Sequence, residues 1–218
     1  DPPTRNARAN LPLTMALSGT FTYAFIPADE SFPVEARVGD KSGGLSDDFL
    51  AKEARRYFFE QSGGAAKAAA LDNATPEQKK ALAKRMREQA GGPMAGHMSK
   101  LDDDALINIM RTTQASASCE IIALTVPTAA NNRLAVSMYG ADDARVRDLP
   151  LNHRATALMV ACGHRPARGD DGKDDGMRGD VFVGRCKDDE MADVWERVDF
   201  TVQDADPGSE WCVQARGK

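Results

Sequence analysis

The chain has 218 residues, and its 28 Lys and Arg against 33 Asp and Glu give a formal net charge of −5 at pH 7. A balance this mild argues against a general nucleic-acid-binding protein, which carries a basic face. No window of the sequence reaches the roughly eighteen apolar residues that a membrane-spanning helix needs. A chain of this length buries about 70% of its unfolded surface, so it can build a core without disulfide or metal staples.

The N-terminal end predicts a surface arm. Residues 1–10 are polar and include two prolines, so we expect a flexible arm there, with residues 11–218 forming a single domain. The segment has no initiator Met and no apolar stretch. We therefore expect an end that has been either processed or trimmed.

Two strands and a helix are predicted after the arm. The segment Leu11–Ile26 is strand-like, and alternation over residues 34–38 indicates a second strand. A helix is expected to begin after Ser46, because the two aspartates that follow favour the positive end of a helix dipole. The glycine pair at 63–64 should end it.

Residues 65–113 are predicted to be a helical insertion. After an alanine-rich helix, Thr75 and Gln78 form a capping box at the start of a second helix, and a third follows from Leu101. The second helix has a thin apolar stripe, so its basic side is either a solvated face or a surface for an acidic partner. Its candidate partner-binding residues are Lys79, Lys80, Lys84, Arg85 and Arg87.

The segment from 119 to 163 carries the most consistent local signals. Glu120–Val126 is a nearly continuous apolar run, which predicts a central strand covered on both faces and ended by Pro127. Alternation over residues 134–138 predicts a half-buried strand that forms a hairpin with it.

A helix is predicted to complete this segment. Asn152 is expected at its N-cap and Gly163 just beyond its C-terminus. The same order of elements begins 100 positions earlier. Segments 20–60 and 120–163 are therefore either a weak internal repeat or two ordinary strand–turn–strand–helix units.

The C-terminal third predicts a polar loop over residues 164–178, strands at 180–185 and 197–202, and a last helix opening at Asp206. Helices concentrated in the middle of the chain and strands at both ends predict an α+β fold. We expect a mixed or antiparallel sheet of about five to six strands with the helices packed on it.

One candidate catalytic or ligand-binding group lies at the start of the 152–162 helix. Asp148, His153 and Arg154 flank this helix start, where a His could act as a general base near a bound anion. The alternative is that these side chains bond loop carbonyls.

Two candidate metal groups are weaker. The loop DDGKDDG offers Asp170, Asp171, Asp174 and Asp175 as oxygen ligands for calcium, although it lacks the spacing of a calcium loop and could be a solvated acidic loop. Cys162, His164 and Cys186 could be zinc ligands but do not form the usual close pairs. We expect no bound cofactor.

The cysteines at 119, 162, 186 and 212 are far apart in sequence. We expect buried free thiols. One disulfide is also open, and the sequence does not choose the pair.

The pieces GDVFVGR (179–185) and VWERVDF (194–200) resemble uncharacterised proteins of unicellular algae over the last third of the chain. This resemblance carries no activity or site. It implies a processed, organelle-imported protein, with the plastid as one such organelle, over a cytoplasmic one.

These patterns favour a non-catalytic subunit or interaction protein that docks into a larger protein assembly. The supporting features are the basic helix, the polar arm and loops, and the lack of a familiar catalytic motif in the sequence. The alternative is a small-molecule binding domain or enzyme with its site near the start of the 152–162 helix.

Overall fold

The computed structural model describes residues 19–41, 48–91, 93–116, 119–168, 174–192 and 194–216. Within these ranges the chain forms eight strands and seven α-helices. The strands are β1 Thr20–Ile26, β2 Glu35–Asp40, β3 Glu120–Thr125, β4 Leu134–Gly140, β5 Ala167–Arg168, β6 Asp174–Asp175, β7 Val181–Asp189 and β8 Val194–Val198. The helices are α1 Phe49–Gln61, α2 Gly64–Asp72, α3 Pro76–Gln89, α4 Pro93–Met98, α5 Asp103–Ser116, α6 His153–Ala161 and α7 Glu210–Arg216.

Six of these strands form one antiparallel sheet in the order β2-β1-β7-β4-β3, with β8 also paired to β7. β4 pairs with one edge of β7. On the other edge, β1 pairs with residues 181–183 of β7 and β8 pairs with residues 185–189. β5 and β6 form a separate two-stranded sheet. The α+β class and the concentration of helices in the middle of the chain are thus confirmed.

The prediction that residues 120–126 form a central strand is wrong in its placement. The strand exists, ends before Pro127 and forms the expected hairpin with β4, but it lies at the edge of the sheet. Ile121 is 50% exposed there. The central strand is β7, whose segment Val181–Gly184 is buried throughout. Both segments are short apolar runs, and such a run does not reveal which neighbours the rest of the chain supplies.

The face of the sheet under α1 has an aromatic core. Phe182 of β7 lies at its centre, with ring centroids 5.1 Å from Phe25, 5.2 Å from Tyr57 and 5.8 Å from Phe58. Leu50 and Ala54 of α1 complete this core and are fully buried. α1 therefore stays on the sheet through tilted and edge-on aromatic contacts that strengthen the burial of apolar area.

The opposite face of the sheet has an aliphatic core. α6 and α7 cover it, and its fully buried members include Met138, Leu158, Val181 and Val183. Asn152 caps α6 as predicted, and Gly163 follows the helix with a φ of 90°. The two strand–turn–strand–helix segments thus place their helices, α1 and α6, on opposite faces of one sheet.

The helices of the insertion pack beside α1 and one another. Leu71, Leu106 and Ile107 are their buried apolar residues, together with Ala83 of α3. The capping box of α3 forms between Thr75 and Gln78 as predicted. Among the helices of the described residues, none is long and apolar enough to cross a membrane.

A buried ion pair links the far end of the chain to the start of α1. Arg197 of β8 is 4% exposed, donates from Nε to Asp48 Oδ1 over 2.8 Å, and also donates from Nη2 to Asp48 Oδ2. The same Nη2 donates to the Tyr139 hydroxyl of β4 over 2.6 Å. Asp48 is also the N-cap of α1 and accepts from the amides of Leu50 and Ala51. α1 thus begins at Phe49 with Asp48 as its cap, later than the start after Ser46 that the sequence predicts. Ser46 itself lies outside the described residues.

Asn152 is the second buried polar junction. Its Nδ2 donates to the carbonyl oxygens of Ile26 and Gly179, each over 2.9 Å, while its Oδ1 accepts from the amide of Ala155. One side chain that is 1% exposed therefore ties the end of β1, the approach to β7 and the start of α6.

We predict that Asn152→Ala lowers the free energy of unfolding by roughly 3 kcal/mol, because it removes a helix cap and leaves two buried carbonyls without a donor. The measurement is chemical denaturation at equilibrium. Thr75→Ala removes the exposed cap of α3 and serves as the control, with an expected cost of about 1 kcal/mol. Equal costs for the two variants would contradict the junction role.

Candidate functional site

Arg154, one of the three residues proposed at the start of α6, holds a loop of the fold. Its guanidinium donates to the carbonyls of Pro27 over 2.7 Å, Phe32 over 2.8 Å and Asp29 over 3.2 Å. These carbonyls belong to the connection between β1 and β2. This is the loop-carbonyl alternative that the sequence left open.

The other two residues of that group point elsewhere. His153 is exposed on the first turn of α6. The Asp148 carboxylate is 98% exposed and lies 3.6 Å from Nη1 of Arg178. The structure thus gives Asp148 and Arg154 different partners, and the catalytic role of the group stays a prediction.

The basic side chains of α3 are partly engaged inside the molecule. Arg87 pairs with Asp103 over 2.7 Å and donates to the carbonyl of Leu101 over 2.9 Å, which joins α3 to the start of α5. Lys84 lies 3.7 Å from Glu88 on its own helix. Lys79 and Lys80 line a concavity that also contains Asp102, Asp103 and Asp104. Lys80, Lys84 and Arg85 are nevertheless exposed on α3.

The candidate calcium ligands are only partly described. Asp174 and Asp175 form β6, while Asp170 and Asp171 lie outside the described residues. Calcium binding by this loop stays a prediction. Within the described ranges, no three His, Cys, Asp or Glu side chains come together as a metal site would require, so Cys162, His164 and Cys186 do not form one.

The larger of two concavities beside β3 is a cleft of about 760 Å³ between the β3–β4 hairpin and α7, which we call the apolar cleft. The hairpin turn is fixed by a short 3-10 helix at Ala129–Asn131, whose capping box joins Thr128 and Asn131. Asn132 and Arg133 follow at positive φ and complete the turn. The apolar side chains of the cleft include Leu124, Leu134, Val136, Trp211 and Ala215.

The polar groups around the apolar cleft have fixed positions. Arg185 lies with Nη2 3.0 Å from Asp204 and its guanidinium 5.3 Å from the Phe200 ring. Trp211 donates from Nε1 to the carbonyl of Asp204 over 2.8 Å. His164 approaches the carbonyl of Leu124 on edge strand β3, with Nε2 3.0 Å from the oxygen. The indole and the guanidinium are thus held by one residue, Asp204.

His164 also borders a second concavity of about 470 Å³, which we call the polar pocket. Two carboxylates, Glu120 and Asp142, line it together with Met159 and Met177. Its arginines are Arg145, Arg165 and Arg178. Desolvation raises the pKa of both carboxyls, and the charge of Asp142 raises that of Glu120 further while Arg145 lowers it.

Carboxyls with a shifted pKa occur at functional sites and also in structural ion-pair networks, and Glu120 and Asp142 are both exposed residues. Here they stand next to arginines and a His, so the polar pocket can bind charged groups or exchange protons with them.

Sequence reasoning missed the apolar cleft and the polar pocket. Their walls come from residues 120–136, 141–145, 159–165, 176–178, 185 and 211–215, which no single motif contains. The sequence offers His164 only as a candidate zinc ligand. The one local signal was Trp211 in a short C-terminal helix, since a large aromatic side chain often lines a ligand site.

Comparisons of the chain with protein-family models, with curated proteins and with solved structures find no match. The geometry is therefore the basis for inferring function.

We predict that Glu120→Gln stabilises the fold at about pH 7 but not at about pH 3.5. When the pKa of a carboxyl is raised in the folded state, the protein loses stability as the pH rises through that pKa, because the folded state disfavours the charged form. Glutamine carries no charge, so the variant protein has no such loss. Denaturation of both proteins at the two pH values measures the difference. Glu30→Gln, on the connection between β1 and β2 and outside the polar pocket, is the matched control. A Glu120→Gln gain that is the same at both pH values, or no larger than the Glu30→Gln effect, would contradict the assignment.

Proposed function

We propose that this protein binds a small, largely apolar molecule in the apolar cleft. The observation that carries this proposal is the cleft itself, a concavity of about 760 Å³ in the range of roughly 300–1,000 Å³ typical of ligand sites. Apolar side chains with a few fixed polar groups are the usual composition of such sites.

The structure suggests how such a ligand would be held. Leu134, Trp211 and Ala215 offer apolar and aromatic surface for the body of the molecule. His164 and Gln214 stand at the wall and can hydrogen-bond a polar substituent. The proposed site lies beyond the end of α6, away from the helix start that the sequence offered as an alternative.

A second candidate function is docking into a larger protein assembly, the function that the sequence favours most. The observation in its favour is the outer edge of β3, which pairs with no other strand among the described residues and where Ile121 is 50% and Val126 63% exposed. Unpaired strand edges and exposed apolar side chains are common features of protein interfaces. The exposed cations of α3 would then contact an acidic surface of the partner.

The first proposal predicts that the dye 1-anilinonaphthalene-8-sulfonate binds the apolar cleft and that Ala215→Phe weakens binding roughly tenfold by filling it. All proteins in this test carry Trp195→Phe, so that Trp211 is the one tryptophan that remains of the two in the chain. Energy transfer from Trp211 to the dye then reports on binding at the wall of the apolar cleft. Val213→Phe, at a 58% exposed position of the same helix, is the matched control.

Equal dye affinity for the Ala215→Phe and Val213→Phe proteins would show that the dye binds elsewhere and would remove support for the apolar cleft. Loss of binding confined to Ala215→Phe supports it.

The second proposal predicts that Lys80→Glu with Lys84→Glu abolishes association with an acidic partner, because both lysines are exposed on α3. The measurement is native mass spectrometry of the complex isolated from the source cells. The control pair Lys67→Glu with Lys100→Glu reverses the same charge at exposed positions outside α3. If the α3 variant keeps its partners, the basic helix has no part in docking.

A further inference from the structure

Two of the four cysteines are in contact. The Sγ atoms of Cys162 and Cys212 lie 3.4 Å apart in the aliphatic core. Cys162 caps the C-terminus of α6, and Cys212 lies in α7. Cys212 is fully buried and Cys162 is 7% exposed. The other two cysteines have different surroundings, because Cys119 donates to the carbonyl of Glu120 and Cys186 lies beside Trp195.

The separation of these two sulfurs is close to what a covalent bond requires. A disulfide has an S–S distance of about 2.05 Å, so the two sulfurs, now 3.4 Å apart, need to approach each other by about 1.4 Å. Changes of side-chain torsion together with a small shift of α7 can supply such a movement. The question that the sequence left open, which pair could form a disulfide, thus has an answer in the fold.

We propose that Cys162 and Cys212 form a disulfide in an oxidising environment, which fastens α7 to α6 and fixes the wall of the apolar cleft that α7 supplies. The effect on the cleft rests on the proposed function, whereas the disulfide itself does not. α7 is only seven residues long. Trp211, Gln214 and Ala215 of α7 all line the cleft.

A small peroxide is an oxidant that suits this buried position. Cys162, the more exposed residue of the two, first loses its thiol proton, and its thiolate then attacks one peroxide oxygen and breaks the O–O bond. This gives a sulfenic acid and a hydroxide ion, which takes up the released proton and leaves as water. The sulfur of Cys212 then attacks the sulfenic sulfur, the S–S bond forms, and a second water leaves with the thiol proton. The two sulfurs lose two electrons in total, which the peroxide accepts.

Burial also sets the rate of this reaction. Desolvation raises the pKa of the Cys162 thiol, and the hydrogen bond with Cys212 raises it further. Since the thiolate is the reacting form, we expect slow oxidation of the folded protein and faster oxidation as the pH rises.

The disulfide should stabilise the fold appreciably. It would close a loop between two positions 50 residues apart. In the loop-entropy account, this raises the melting temperature by on the order of 10 °C for a chain of this size. Arg216 already donates to the carbonyl of Ala161 over 3.1 Å, so the bond would reinforce an existing contact between α7 and α6.

The test compares the full chain after treatment with hydrogen peroxide or with dithiothreitol. Thiols are counted in denaturant, linked peptides are identified by mass spectrometry, and melting is recorded. We expect the count to fall from four to two, the linked peptides to contain Cys162 and Cys212, and the melting temperature to rise on oxidation. Four remaining thiols, or a link between other cysteines, would overturn the proposal.

Two variants separate the bond from general effects of oxidation. Cys212→Ala should lose the rise in melting temperature, whereas Cys186→Ser, which replaces another buried cysteine, should keep it. If Cys186→Ser lost the rise equally, the stabilisation would not come from the proposed pair.

Dye binding by the oxidised and reduced proteins then tests the link to the apolar cleft. A formed disulfide with altered dye affinity supports both ideas. A formed disulfide with unchanged affinity overturns the proposed effect on the cleft and leaves the bond intact.

Discussion

The buried ion pair between Arg197 and Asp48 is the constraint on which the arrangement of the layers depends. Arg197 comes from β8, Asp48 caps α1, and the Tyr139 hydroxyl of β4 completes the set. Desolvation alone would lower the pKa of Arg197, but hydrogen bonding and charge from Asp48 and Tyr139 outweigh it and the pKa is raised. A charge buried this deeply is tolerated only with its partners in place, so α1 has one favoured position on the sheet.

Central strand β7 contributes to both cores, through Phe182 to the aromatic core and through Val181 and Val183 to the aliphatic core. Gly184 makes the close approach possible, because a Cβ there would stand 2.2 Å from Leu50 of α1 and 3.3 Å from Nη1 of Arg197. Past Gly184, Arg185 turns to the other face of the sheet and pairs with Asp204, which also holds Trp211. One strand thus positions α1 on one face and the wall of the apolar cleft on the other, so a rigid scaffold supports the proposed binding surface.

The sequence predicts those parts of the structure that depend on neighbouring residues. The caps at Thr75 and Asn152 and the end of α6 at Gly163 follow from local hydrogen bonding and backbone freedom. The place of β3 at the sheet edge does not, because it is decided by strands distant in the chain. Arg197 and Asp48 are 149 positions apart, and no local pattern indicates their pairing. The apolar cleft was missed for the same reason, since only the fold brings its walls together.

A double-mutant cycle on Asp48 and Arg197 tests this account most directly. Asp48→Asn, Arg197→Met and the double variant are compared with the wild type in free energy of unfolding. Each single change should cost about 3–5 kcal/mol, because the remaining charge or polar group loses its partner in the core. The double variant should then cost less than the sum by on the order of 2 kcal/mol. Strictly additive costs would mean that the two side chains contribute independently, which contradicts the central role of the pair.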